Sequence, residues 1–239
     1  MKLIIEIGNS STKLAIFESR NIINNQIIHD LSTKVVLSFI RDFSISGTII
    51  SSVRKKNNII DELIMYFKAL FLTHKTKIPI KNSYKTSETL GKDRLAAIVG
   101  ANDIYPDKNI LVIDAGTCLT GDYFVDGKYY GGRISPGIQM RYNSLQSFTD
   151  KLPKLTIVDV YSKIGNNTNS SIIAGVQQGI VDEVDALINL FREENKETIV
   201  IVTGGDYRFF EKHLKNSIFV DPFIVLKGLN IILEFNAKK

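Results

Sequence analysis

The feature that most constrains this chain is a pattern it uses twice. Leu3-Ile4-Ile5-Glu6-Ile7-Gly8-Asn9 and Leu111-Val112-Ile113-Asp114-Ala115-Gly116-Thr117 each supply three aliphatics, an acid, one spacer, a glycine and a small polar residue. A second apolar run follows each copy, Thr12 to Phe17 in one case and Leu119 to Val125 in the other. Short aliphatic runs bounded by turn residues read as strands, so each copy is strand, sharp turn, strand. Internal self-similarity bears on the whole fold, and here it predicts a duplicated chain. Pro106 and the polar stretch Asp107 to Asn109 carry the turn chemistry of a junction. The expected domains are therefore 1–107 and 108–239.

The rest of the chain fits an α/β protein. Strands are expected at 2–7, 12–17, 25–31 and 47–53, with helical spacing from about Lys34, over 59–70 and over 90–104. After the junction come strands at 110–115, 119–125 and 128–134, with Asp126-Gly127 as the turn before the last of these. Helices are expected at 139–148, 170–191 and 224–235, and a strand at 198–202 runs into Thr203-Gly204-Gly205-Asp206. With 239 residues, 44% hydrophobic and 23% charged, the chain has apolar residues enough for a core, which excludes a disordered polypeptide. No apolar stretch approaches the roughly 18 residues of a spanning helix. Only three apolar residues separate Lys2 from Glu6, too few for a signal peptide, so the cytoplasm is the expected compartment and no membrane partner is expected. Cys118 is the single cysteine, which excludes an internal disulfide, and no Cys/His cluster has zinc spacing.

A strand that ends in an acid and turns through glycine directs several backbone N–H groups at one spot, and such a nest binds anions. A carboxylate beside an anion needs a cation between them, the position Mg²⁺ takes between protein carboxylates and nucleotide phosphates. Lys13, on the strand after the first turn, is a second positive group for the same phosphates. The two turns together are expected to grip one triphosphate from both sides, although either alone also fits plain hairpin geometry. Neither a Walker phosphate loop nor a Rossmann fingerprint is present at these turns. Asp93, within Gly91-Lys92-Asp93-Arg94 at the start of a helix, is flanked by two cations and is expected to stay ionised near neutrality. A simple helix cap is the alternative reading. The net charge of +5 is concentrated between Arg54 and Arg94, where ten basic residues face four acidic ones. Such a window attracts anions, or is only a solvated lysine-rich face.

Taken in order, Glu6-Ile7-Gly8-Asn9-Ser10, Lys13, Gly91-Lys92-Asp93-Arg94, Asp114-Ala115-Gly116-Thr117, Gly131-Gly132-Arg133-Ile134-Ser135-Pro136-Gly137, Asn167-Thr168 and Thr203-Gly204-Gly205 resemble the motifs of type III pantothenate kinase. The resemblance runs from residue 1 to about Leu229. It implies two ribonuclease-H-like domains, as in acetate and sugar kinases, heat-shock chaperone ATPases and actin, with a nucleotide cleft between them. It also implies ATP-dependent phosphorylation of pantothenate to 4'-phosphopantothenate, the first step of coenzyme A biosynthesis. By the same resemblance Glu6, Ile7, Gly8, Asn9, Ser10, Ser11, Thr12 and Lys13 bind ATP with Thr117, and Asp93 is the proton acceptor. Tyr84, Gly91, Lys92, Asp93, Arg94 and Thr168 match the pantothenate contacts, Thr168 reaching from a partner subunit, which implies a homodimer. Helix 139–148 would contribute to its interface or cover its own sheet. Asp114 matches the site of a monovalent cation, potassium or ammonium, and Glu6 stands near Mg²⁺.

The chain departs from the family pattern at Glu6, where the family usually has aspartate, which moves the carboxylate outward by about one C–C bond. Cys118 stands where small residues such as alanine are common and reads as a small packed side chain. Two other functions compete with the kinase. A nucleic-acid-binding transcription accessory factor would use the basic window, but that window lacks the interleaved aromatics of a single-strand binder. A sugar or acetate kinase of the same superfamily would share the turns and differ in its acceptor. A ribonuclease-H-type nuclease is disfavoured because Glu6 and Asp114 fall in different domains.

Overall fold

In the computed structural model, which describes residues 1–237, the first half contains β1 (Lys2–Ile7), β2 (Thr12–Glu18), β3 (Asn21–Ile28), α1 (Thr33–Ile40), β4 (Gly47–Ser52), α2 (Asn58–Phe67), β5 (Leu70–Phe71), β6 (Lys81–Asn82) and α3 (Lys92–Ile104). The second half contains β7 (Ile110–Ala115), β8 (Cys118–Val125), β9 (Lys128–Pro136), α4 (Ile138–Ser147), α5 (Thr168–Ile173), a π-helical stretch Ala174–Gln178, α6 (Gly179–Glu194), β10 (Ile199–Thr203), α7 (Tyr207–His213), β11 (Phe219–Val220) and α8 (Ile224–Ala237).

The duplication is visible in the strand order. β1 pairs antiparallel with β2 and parallel with β4, and the sheet runs β3-β2-β1-β4-β5. β7 pairs antiparallel with β8 and parallel with β10, and its sheet runs β6-β9-β8-β7-β10-β11. Apart from the added edge strand β6, the order matches strand for strand. The two acids also match in register: Glu6 stands opposite Lys13 and Ser51, and Asp114 opposite Thr120 and Thr203.

Period-2 alternation decides where the first acid points. Leu3, Ile5 and Ile7 enter a core with Val36 of α1 and Ile60 and Leu63 of α2. Ile4 and Glu6 therefore face the other side of the sheet, where α3 and α8 contact β4 and β1. α3 is buried without interruption from Arg94 to Ala101, and its small residues let α8 approach closely. A Cβ at Gly228 of α8 would collide with the carbonyl of Ala96, and one at Gly100 with the carbonyl of Ile224. The second unit has its own core, in which Leu111, Ile113 and Ala115 pack with Tyr142, Ile180, Val184 and Phe210.

The chain divides into two compact units, one comprising Met1–Pro106, Gly127–Tyr130 and the residues from Phe223, the other Asp107–Asp126 and Gly131–Pro222. These units differ from the expected 1–107 and 108–239 in that α8 groups with the first unit, where its glycine face fits α3. Lys238 and Lys239, the last two residues of that expected domain, lie outside the described residues.

Three local expectations also change. β3 begins at Asn21 rather than near Asn25, because Ser19 takes a left-handed φ of 52° and closes a two-residue turn. α2 ends at Phe67 rather than continuing to Leu70: Lys68 adopts φ 46°, its N–H reaches back to the carbonyls of Ile64 and Met65, and Leu70 enters β5. The expected helix 170–191 is a continuous helical segment from Thr168 to Glu194, but the π-helical stretch interrupts its regular spacing.

Candidate functional site

The first turn connects β1 to β2 through Gly8, Asn9, Ser10 and Ser11, and Gly8 N–H donates to the Ser11 carbonyl at 3.0 Å. Two basic side chains brace its carbonyls. Arg54 Nε donates to Gly8 O at 2.6 Å, and His29 Nδ1 lies 3.4 Å from Ser10 O. With carbonyls engaged by the protein, the amides and hydroxyls of Asn9, Ser10 and Ser11 are the groups suited to an anion. The Thr12 hydroxyl is fully buried and has no hydrogen-bond partner among the described residues.

Glu6 is buried at the root of this turn, and its Oε2 lies 3.2 Å from Lys13 Nζ. Burial raises its pKa above the ordinary value of 4.5; the charge and hydrogen bond of Lys13 oppose that shift, and the negative charge of Asp93 adds to it. Glu6, Lys13 and Asp93 thus form one electrostatic group within the first unit. The alternation of β1 accounts for it, since Glu6 faces the side on which α3 begins.

α3 starts at Lys92 with Gly91 as its N-cap, so Asp93 sits in the first turn rather than at the cap. Its Oδ1 accepts a hydrogen bond from Arg94 N–H at 2.8 Å. A Cβ at Gly91 would stand 2.6 Å from that oxygen, so the glycine leaves the carboxylate its place. Arg94 is buried, with its guanidinium carbon 6.0 Å from the centre of the Tyr84 ring, and Tyr84 stacks on Tyr129 at 6.2 Å. The expected substrate segment therefore collects Tyr84, Gly91, Asp93 and Arg94 at one place. Lys92 is occupied otherwise: its ammonium donates to the carbonyls of Ser87 (3.0 Å) and Leu90 (2.6 Å) and fastens the preceding loop. Burial lowers its pKa, against the pull of Asp93 and Glu88.

Some charges of the basic window are engaged by the protein itself. Arg54 braces the turn and Lys56 pairs with Asp61, both from exposed positions, while Lys92 ties the loop and Arg94 is buried.

In the second unit, β7 and β8 are joined by Gly116 and Thr117 alone, a shorter turn closed by Gly116 N–H to Cys118 O at 3.0 Å. The loop after β10 folds onto it. Asp206 N–H donates to Ala115 O at 2.9 Å, and Gly204, at φ 92°, stands so close that a Cβ would lie 2.5 Å from Asp114 Oδ1 and collide with Ala115 O. An oxygen of the Asp114 carboxylate and the Ala115 carbonyl thus come so close to Gly204 that no side chain fits there, and oxygens of these two kinds suit a hard cation. Burial raises the pKa of Asp206. Gly137 closes the other flank, its N–H donating to Thr117 O at 3.2 Å. Thr168 opens α5 next to a capping box formed by Asn167 and Ser170. Cys118 is partly exposed and free, not packed away as the sequence suggests. Among the described residues no cluster of three or more His, Cys, Asp or Glu side chains is arranged to hold a metal ion, and no helix is long and apolar enough to cross a membrane.

Arg54 and His29 are the contributors that sequence reasoning missed. Each lies in a segment without motif character, and only the parallel pairing of β4 with β1 and the return of β3 beside β2 bring them to the turn.

A type III pantothenate kinase of Phocaeicola vulgatus is 42% identical over 241 residues, with 100% of both chains covered. Among solved structures, a Campylobacter jejuni protein described as a candidate Baf family transcriptional activator superposes with TM-score 0.62 at 20% identity, covering 99% of this chain and 100% of its own. A ROK family glucokinase from Streptomyces griseus superposes with TM-score 0.54 at 10% identity, covering 98% of this chain and 99% of its own. These likenesses show the fold, two ribonuclease-H-like units of the actin-like ATPase type. The family model for type III pantothenate kinase matches residues 2–190, and with the full-length relative it establishes that this chain belongs to the type III pantothenate kinase family.

Proposed function

We propose that the protein transfers the γ-phosphoryl group of ATP to the primary hydroxyl of pantothenate, giving 4'-phosphopantothenate for coenzyme A biosynthesis. The observation that carries this reading is the electrostatic coupling of Asp93, at the head of α3, to the Glu6–Lys13 pair at the root of an anion-binding turn. Phosphoryl transfer passes through a loose transition state, so the acceptor hydroxyl needs aiming more than early deprotonation. A carboxylate at Asp93 accepts the hydroxyl's hydrogen bond and then its proton. Lys13 and the amides of Gly8 to Ser11 stabilise the charge that spreads over the transferred group.

Residues 6–13 and Thr117 are assigned to ATP. Tyr84, Gly91, Lys92, Asp93 and Arg94 are assigned to pantothenate, with Arg94 available to its carboxylate and Lys92 acting through the main chain it holds. Thr168 is assigned to the pantothenate of a partner subunit in a homodimer working in the cytoplasm. Mg²⁺ would arrive on the phosphates and neutralise their charge. Glu6, whose Oε2 is engaged by Lys13 and whose ionisation burial opposes, would stand beside the ion as a further oxygen donor. Asp114, beside the Ala115 carbonyl, is assigned to a potassium or ammonium ion. The test is ADP release from ATP with pantothenate as the acceptor: release that depends on pantothenate supports the assignment, and release only with a hexose or acetate refutes it.

A further inference from the structure

A cavity of about 400 Å³, within the size range of small-molecule sites, is lined entirely by residues of the second unit. One wall is Asp159, Tyr161 and Lys163; the other is Lys212, His213 and Lys215, at the end of α7 and just beyond it. Three ammonium groups and an imidazole thus share a small space with one carboxylate. Among the described residues Lys163 and Lys215 form no ion pair, and Lys212 reaches only the carbonyl of Asp159, at 3.5 Å. The three ammonium groups outnumber the one carboxylate, and an anion bound among them offsets the excess positive charge.

The walls are held in place. The His213 ring stacks on Phe209 at 4.4 Å with Tyr161 at 5.4 Å, and its Nδ1 lies 2.8 Å from Phe209 O. That carbonyl accepts, so Nδ1 carries the proton and Nε2 is the nitrogen left to a ligand. The opposite wall is anchored through the neighbouring Val158. The fully buried Gln177, placed by the π-helical stretch, accepts from Val158 N–H and donates to Val158 O, both at 2.9 Å, and also accepts from Tyr142 OH.

We propose that this cavity is a second ligand site, separate in its residues from the Glu6–Lys13 turn, which binds a small anion bearing one or more phosphoryl groups. Lys163, Lys212 and Lys215 surround the phosphoryl oxygens, and His213 Nε2 donates to one of them when the ring is charged. This inference stands independently of the acceptor assigned above.

The chain's three histidines allow a direct test by proton NMR of the imidazole C2–H signals. His213 reports on the cavity and His29, beside Ser10, on the first turn. Inorganic pyrophosphate titrated into the full-length protein is expected to shift the His213 signal, identified by its absence in His213→Gln. The midpoint should weaken at least about tenfold in Lys212→Ala/Lys215→Ala and stay unchanged in Lys13→Ala, whereas the response of His29 should show the opposite dependence. A parallel titration with ADP separates a nucleotide from a simple phosphate ester by which probe has the tighter midpoint at His213. No His213 shift with either probe, or an unchanged midpoint in the double lysine variant, overturns the proposal.

Discussion

Lys13 Nζ lies 3.2 Å from Glu6 Oε2 across the antiparallel ladder of β1 and β2. The pair differs from a surface ion pair because the carboxylate is almost completely shielded from water, whereas the lysine is about a quarter exposed. Lys13 offsets only part of the cost of burying that charge, and the nearby Asp93 adds to it. The turn proposed to receive phosphates thus has at its root a carboxyl whose ionisation is held back.

A pH dependence follows. A carboxyl whose pKa is raised on folding binds its proton more tightly in the folded chain, so its stabilising contribution is complete below the ordinary value of 4.5 and is lost as pH rises through the raised value. Glu6→Gln removes that loss. The variant's Tm, measured against wild type, is expected to gain as pH rises from 4.5 towards neutrality. A constant difference across that range would show that Glu6 ionises in the fold as readily as in water.

Asp93→Asn keeps the shape of the α3 terminus and removes the proposed proton acceptor. Turnover should fall by roughly 10² to 10⁴, while ATP affinity measured by calorimetry stays within a few-fold of wild type. Near-normal turnover would remove Asp93 from the chemistry.

Gly91→Ala tests the placing of the same carboxylate. Because the new methyl would stand 2.6 Å from Asp93 Oδ1, the side chain must move, and misplacement of a reacting group by about 1 Å can cost roughly 10² in rate. A large loss in kcat with a small change in Tm is expected. A large drop in Tm with kcat preserved in the folded fraction would assign Gly91 to stability instead.

Gly228→Ala probes the α3–α8 contact. A methyl there collides with the Ala96 carbonyl, and overpacking of this kind costs about 1–3 kcal/mol or more. Denaturant unfolding should show that loss, and an unaltered midpoint would mean that the helices separate easily.

Legibility in the sequence followed the strength of the local signals. Asp126-Gly127, both at positive φ, marks its hairpin by residue type, and the turn was readable. Ser19-Arg20 makes an equally short turn with residues that do not announce it, so β3 was displaced by several residues. Lys68 ends α2 in a conformation usually taken by glycine, and the helix looked longer than it is. The paired acid-x-Gly motifs displayed the duplication because each lies within one strand and one turn. The C-terminal helix gave no sign of its return, since the fit of Gly228 against Ala96 is a contact between segments more than a hundred residues apart. The site followed the same division. Glu6, Lys13 and Asp93 were legible as motif residues, whereas the bracing of the turn by Arg54 and His29 depends on strand pairing.

The most direct measurement is a coupled ADP-release assay on the full-length protein with ATP and Mg²⁺, run with and without pantothenate and with and without potassium or ammonium. The account predicts release that requires pantothenate, rises with the monovalent cation and nearly vanishes in Asp93→Asn. Release that ignores pantothenate, or that appears only with a sugar or acetate, would contradict it.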